Sequence, residues 1–185
     1  TMEADSLNCM ILGDDVGPGM PEWDIFIKEL RKEITVKAGQ KCTAVRRIFV
    51  PAGKLEAVRQ DLIKALAQTI IGNPLNDKVR MGALAGEGQR QEVKKQVQKL
   101  LASSQIIYGS LDSVATLDAD AEKGAFIGPM LLLNENPLHT REVHEVEAFG
   151  PVSTLMPYSS LDEAIHLSKM GKGSLCSTIV TADDA

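Results

Sequence analysis

The chain has 185 residues, 44% hydrophobic and 24% charged, enough for one substantial core in a globular domain. A formal charge of −5 offers no basic footprint for nucleic acid or an anionic membrane surface, and no apolar run approaches the roughly 20 residues of a membrane span. The three cysteines, Cys9, Cys42 and Cys176, lie far apart with no CxxC pair, which argues against a disulfide framework or a zinc site and for a reducing, cytoplasmic setting.

In chain order, Cys9–Leu12 is a short apolar run followed by the loop GDDVGPGMP. Pro21 suits the first turn of a helix, where its missing N–H costs nothing. Trp23, Phe26, Ile27, Leu30 and Ile34 recur at helical spacing, predicting a buried face on a helix that ends near Gly39. Val45–Val50 reads as a strand closed by Pro51-Ala52-Gly53, and Leu55, Val58, Leu62 and Leu66 mark a second amphipathic helix ending before Gly72-Asn73-Pro74. A third helix carries Val93, Val97, Leu100 and Leu101 on one face, with Lys94, Lys95 and Lys99 read as solvated. Strand-like segments follow at Gln105–Tyr108, Ala125–Leu133 and Val152–Met156. Ser160 and Glu163 have capping-box spacing and open a helix to about Met170, before a last strand at Leu175–Thr181. Strands separated by helices imply crossover connections and a mainly parallel α/β sheet. Both ends read as cuts within a longer chain.

Cys42, in AGQKCTAVRR, is the residue with the most chemical promise. It lies at a polar junction with Lys41, Arg46 and Arg47 close in sequence, and positive charge favours the nucleophilic thiolate. The glycine before it permits a tight backbone approach that exposes an N–H to a substrate oxygen. Cys9 and Cys176 lie in apolar strands and read as core, His139 and His144 as surface residues, and His166 as exposed. Near Glu142 the two histidines lack the spacing of a metal tetrad. The glycine-rich GALAGEGQR lacks the GK[ST] ending and preceding strand of a phosphate loop. On the residues alone, a cofactor-free thiol esterase and a non-catalytic module with a buried Cys42 also remain open.

GQKCTAVRR resembles the cysteine motif of the aldehyde dehydrogenase superfamily, G-Q-x-C with a following arginine that leads into a strand. Other segments match in the family's order. Glu3 in EADS resembles the acidic residue of E-L-G-G, and IGNPLNDKVRMGAL, ending at Leu84, resembles V-G-[DN]-P-x…G-P-[LMV]. KGAFIGPMLL at Lys123–Leu132 resembles G-x-[FY]-x-x-P-T, EAFGPV at Glu147–Val152 the E-x-F-G-P-[VI] signature, and GSLCSTIVTAD the G-L-x-x-x-[VI]-[FY]-[TS]-x-[DN] segment. Glu-Ala-Asp-Ser-Leu-Asn, the long acidic loop and VHEVEAFGPVSTLMPY are similar to the dehydrogenase halves of bifunctional ring-opening enzymes of bacterial phenylacetate degradation.

The resemblance implies a three-layer α/β catalytic domain over residues 1–185, with a mainly parallel sheet and without the upstream dinucleotide-binding domain. It implies Cys42 as the thioester-forming nucleophile and Glu3 as the general base that releases an acid. Glu147 would bind the nicotinamide ribose and Phe149 would pack beside the nicotinamide of NADP (or NAD). The implied substrate is a small-molecule aldehyde, a CoA-linked semialdehyde on the narrower resemblance. The implied full-length parent is a cytoplasmic homo-oligomer with no metal, nucleic-acid or membrane partner.

Overall fold

The computed structural model describes residues 6–183. A six-stranded sheet in the order β3-β4-β5-β2-β1-β6 forms the middle layer, from β1 (Cys9–Leu12), β2 (Arg47–Pro51), β3 (Gln105–Tyr108), β4 (Met130–Leu133), β5 (Val152–Tyr158) and β6 (Ser177–Val180). All pairings are parallel except the antiparallel β3–β4 edge. The helices are α1 (Pro21–Thr35), α2 (Leu55–Ala67), α3 (Glu87–Leu100), the single turn α4 (Glu142–Glu145) and α5 (Leu161–Met170).

Strand alternation explains why three layers form. Met10, Leu12, Ile48, Val50, Leu131, Leu133 and Leu155 face one side, where Trp23, Phe26, Leu30 and Ile34 of α1 and Val58, Leu62 and Leu66 of α2 cover them. Cys9, Ile11, Phe49, Met130, Leu132, Val152 and Met156 face the other side, under Val93 and Val97 of α3 and Ala164 and Leu167 of α5. A strand buried on both faces reads as a continuous apolar run, as CMIL and MLLL do. The step from β1 to β2 and the step from β5 to β6 run in opposite directions across the sheet. Right-handed crossovers therefore send α1 and α5 to opposite faces.

Local chemistry sets most boundaries. Pro21 opens α1 as expected, but the helix stops at Thr35 rather than near Gly39. The β-branched run Ile34-Thr35-Val36 turns the chain extended at Val36, and Lys37 and Ala38 then adopt left-handed φ of 53° and 51°. Ile27 is only half-buried on that face. β2 starts at Arg47 rather than Val45, since the Arg46 and Arg47 amides both donate to the Asn8 carbonyl ahead of the ladder. Within Ala125–Leu133, only Met130–Leu133 pairs as a strand. Ser160 caps α5 by accepting from the Glu163 amide at 3.2 Å, while Glu163 accepts from the Ser159 amide at 3.0 Å. Ser160→Ala is expected to cost about 1 kcal/mol in a urea titration; no change would mean that the cap is redundant. Among the described residues no helix is long and apolar enough to cross a membrane.

Two burial expectations fail as well. Cys176 is exposed rather than core, because it precedes the edge strand β6, whose Ser177, Thr178 and Ile179 are also exposed. His144 is buried at 3% exposure rather than on the surface. Its Nδ1 lies 3.0 Å from Arg47 Nη1 and its Nε2 2.9 Å from the Pro137 carbonyl. A guanidinium only donates, so Nδ1 accepts and Nε2 carries the proton. With both nitrogens engaged, His144 is no metal ligand in this arrangement. His139 and His166 are exposed as expected.

Candidate active site

The segments that enter β1, β2, β5 and β6 meet at the amino ends of the parallel strands. Cys42 sits there on a turn, exposed together with Thr43. That exposure removes the reading of Cys42 as a buried structural thiol. Glu3 lies outside the described residues.

The turn is prepared by unusual backbone. After the two left-handed residues, Gly39 continues at φ +69°, and a Cβ there would stand 2.1 Å from the Gly150 carbonyl oxygen. Only glycine lets the segment carrying Glu147–Gly150 come this close to the Cys42 turn. Two consecutive non-glycine residues in the left-handed region cost roughly 1–2 kcal/mol each, and such strain clusters at functional segments. The Lys41 and Ala44 amides close the turn on Gly39 and Lys41 carbonyls at 2.9 and 3.2 Å.

The three cations near Cys42 in sequence have other work. Lys41 pairs with Glu33 at 2.7 Å. Arg46 donates to the Gly150 carbonyl at 2.7 Å, the Gly39 carbonyl at 2.8 Å and Glu147 Oε1 at 3.1 Å. Its guanidinium also lies 5.4 Å from the centre of the Phe149 ring. Burial lowers the Arg46 pKa, with the Glu147 carboxylate opposing that shift. Arg46 is therefore the link between the Cys42 turn and the Glu147–Gly150 segment, rather than a free charge beside the sulfur. Arg47, fully buried, points into the core and donates to the Leu7, Leu167 and Ser168 carbonyls at 2.8, 2.7 and 3.0 Å. A Cβ on Gly171 would lie 2.0 Å from Arg47 Nη2, so that glycine makes the room.

Glu147 is nearly enclosed, with 7% of its side chain exposed. Its Oε1 accepts from Arg46 and its Oε2 from the Ser6 amide at 3.0 Å. Each carboxylate oxygen retains a lone pair for a further donor such as a sugar hydroxyl. Phe149 is an exposed large hydrophobe, with its ring backed by Arg46. One short segment thus carries a nearly enclosed carboxylate and an open aromatic face. The glycine-rich stretch before α3 follows the isolated bridge residue Met81 rather than a strand, unlike a phosphate loop.

Sequence reasoning missed Asn8. It is fully buried; its Nδ2 donates to the Cys42 and Ala44 carbonyls at 2.8 and 3.0 Å, and its Oδ1 accepts from the Leu175 and Cys176 amides at 2.9 and 3.0 Å. The available signal was a lone carboxamide abutting the apolar run of β1, since a buried polar side chain implies partners. Cys176 also reaches this edge, its Sγ 3.6 Å from the Thr43 carbonyl. Partial burial pushes its thiol up, as do the charges of Glu33 and Cys42, while Lys41 opposes.

A cleft of about 700 Å³ opens at the other end of the sheet, between Gly13, Pro51, Tyr158 and Thr181. Open α/β sheets ordinarily bind ligands at these carboxyl ends. Here the cleft is lined by Asp14, Asp15 and hydroxyl groups, and its tyrosine, Tyr158, is pushed up to about 12 by burial and the two aspartates. Its lining contains no cysteine or histidine.

The aldehyde dehydrogenase family model matches residues 15–185. The chain is 41% identical over 184 residues to 3,4-dehydroadipyl-CoA semialdehyde dehydrogenase of Aromatoleum evansii, covering 100% of this chain and 36% of that relative. It is 44% identical over 104 residues to Protein MaoC of Klebsiella aerogenes, covering 55% and 29%. The chain thus spans about a third of the length of these curated relatives. A crystal structure of betaine aldehyde dehydrogenase from Staphylococcus aureus in complex with NAD+ shares the fold, with a TM-score of 0.82 at 24% identity, over 98% of this chain and 34% of that one. The chain belongs to the aldehyde dehydrogenase family.

Proposed function

We propose that residues 1–185 are the nucleophile-bearing catalytic domain of an aldehyde dehydrogenase whose dinucleotide-binding half lies upstream in the intact protein. The observation that carries this reading is the exposed Cys42 on a glycine-dependent turn, joined through Arg46 to Glu147 and Phe149. The match to only 36% of the relative's length supports reading this chain as part of a longer protein.

Cys42 Sγ attacks the aldehyde carbon and forms a thiohemiacetal, whose oxyanion is held by the Cys42 N–H and an amide from outside this chain. Glu147 and Phe149 would hold the nicotinamide end of NADP (or NAD), which would supply the hydride acceptor. The thioester left on Cys42 is hydrolysed by water from which Glu3 takes the proton. We place the substrate among CoA-linked semialdehydes of aromatic catabolism, specifically phenylacetate degradation, and the protein in the reducing cytoplasm. The printed name of the Aromatoleum evansii relative supports the substrate class.

The test joins this chain to an upstream dinucleotide-binding half and follows aldehyde-dependent nicotinamide reduction. Glu3→Gln is expected to retain a single-turnover burst of hydride transfer while steady-state turnover falls about 10²- to 10⁴-fold, the usual scale for a lost general base. Loss of the burst would remove Glu3 from the hydrolytic step. No aldehyde-dependent reduction in the parent would sink the dehydrogenase reading.

A further inference from the structure

We propose that Asn8 is the positioning residue of the Cys42 nucleophile: its carboxamide holds the Cys42 turn in register with the segment entering β6. The proposal rests on the reading of Cys42 as nucleophile given above.

A primary amide has two donor hydrogens and an acceptor oxygen with two lone pairs, and Asn8 engages all four. Both donors go to the Cys42 turn, at 2.8 Å to the Cys42 carbonyl and 3.0 Å to that of Ala44. Both acceptor sites face Leu175 and Cys176 amides at 2.9 and 3.0 Å. The orientation is unambiguous, because a flipped amide would oppose hydrogens to hydrogens and oxygen to two carbonyls. The Asn8 carbonyl also accepts from the Arg46 and Arg47 amides at 3.0 and 3.1 Å, so the residue itself is fastened to the entry of β2.

Cys42 and Thr43 are exposed, so side-chain packing does not hold them in place. The buried amide does so instead. A misplacement of about 1 Å in a reacting group costs about 10²-fold in rate. The division of labour within one side chain makes the role testable by a single-atom exchange. Asn8→Asp keeps the acceptor for the β6 side and replaces the donor on the Cys42 side with an oxygen that faces two carbonyls.

The test measures site-resolved alkylation of Cys42 by iodoacetamide in this chain from about pH 5 to 9, a range that brackets an introduced buried carboxyl. In Asn8→Asp, labelling at the alkaline end is expected to slow about tenfold, because the carboxylate faces the Cys42 and Ala44 carbonyls and displaces the turn. The ratio to the parent should recover towards one as pH falls, because the protonated carboxyl regains a donor. Asn134→Asp is the control, a buried amide at the carboxyl end of β4 that donates to the Ser103 carbonyl and Thr140 Oγ1. It loses hydrogen bonds in the same way but should leave the Cys42 ratio within about twofold.

A folded Asn8→Asp chain that labels at the parent rate throughout overturns the proposal, as does equal slowing in Asn134→Asp. If Asn8→Asp does not fold, the neutral Asn8→Ser, with one donor, gives the same comparison, and parent-rate labelling there is equally fatal. In the assembled dehydrogenase, Asn8→Asp should lower kcat about 10²-fold with KM within about threefold. Retained turnover in Cys42→Ala would break the nucleophile assignment, whereas the alkylation result judges the clasp on Cys42 independently.

Discussion

Cys42→Ala, in the dehydrogenase proposed above with a dinucleotide-binding half joined to this chain, is expected to reduce aldehyde-dependent turnover by on the order of 10⁶-fold, the scale of removing a covalent nucleophile. The expectation follows from the absence of a substitute. Cys9 is buried, with its thiol pushed up by burial. Cys176 is exposed, but its thiol is also pushed up, which leaves it less thiolate at neutral pH. The same variant should fold with stability within about 0.5 kcal/mol of the parent, since an exposed turn residue leaves no cavity when truncated. Loss of turnover with an unchanged denaturation midpoint is therefore the expected pair of results. Full turnover in a folded Cys42→Ala protein would reject the mechanism.

The largest effect on stability is expected at Arg47. Its guanidinium is fully buried with no carboxylate partner among the described residues, held by carbonyls of Leu167 and Ser168 at the end of α5, by the Leu7 carbonyl and by His144. Burial lowers its pKa to about 10, so it stays charged at neutral pH and complements the carbonyl end of the helix. Arg47→Met fills much of the volume but strands the Leu167 and Ser168 carbonyls and His144 Nδ1. At roughly 1–2 kcal/mol for each poorly satisfied buried group, the loss is about 3–5 kcal/mol. That corresponds to a melting temperature lower by about 10 °C. A loss below about 1 kcal/mol would mean that water or a rearranged helix end replaces the arginine.

His144 adds a pH signature to the same variant. Burial first, and then the Arg47 charge, lower its pKa in the folded state, while the Pro137 carbonyl opposes the shift. The unfolded chain therefore binds the proton first, and stability present above the ordinary histidine value of about 6.5 is lost as pH falls below it. Removing Arg47 relieves part of that depression, so Arg47→Met should show a shallower loss of stability between about pH 7 and 5. A steeper loss would place the protonation elsewhere.

Much of the fold is local chemistry and could be read residue by residue. Pro21 starts a helix, Ser160 and Glu163 cap another, and CMIL and MLLL become strands buried on both faces. The boundary that failed, at Thr35, lies where a helical apolar pattern runs into left-handed backbone that Gly39 alone does not announce. Lys37 and Ala38 adopt that conformation just before Gly39 packs against Gly150, a contact between segments far apart in the chain.

The candidate site divides along the same line. Cys42, Glu147 and Phe149 stand out by residue type and by their neighbours along the chain. Asn8 clasping Cys42, Arg46 joining Gly39 to Gly150, His144 buried against Arg47 and Cys176 left in the open do not. Each depends on which strand entry lies beside which, and hydrogen-bond partners more than 30 positions apart leave no periodicity to read. The chain itself specifies its helices through short-range sterics and capping, and it marks Cys42 by its neighbours in sequence. The sheet order β5-β2-β1-β6 alone brings the four strand entries together, and it sets where the sulfur stands.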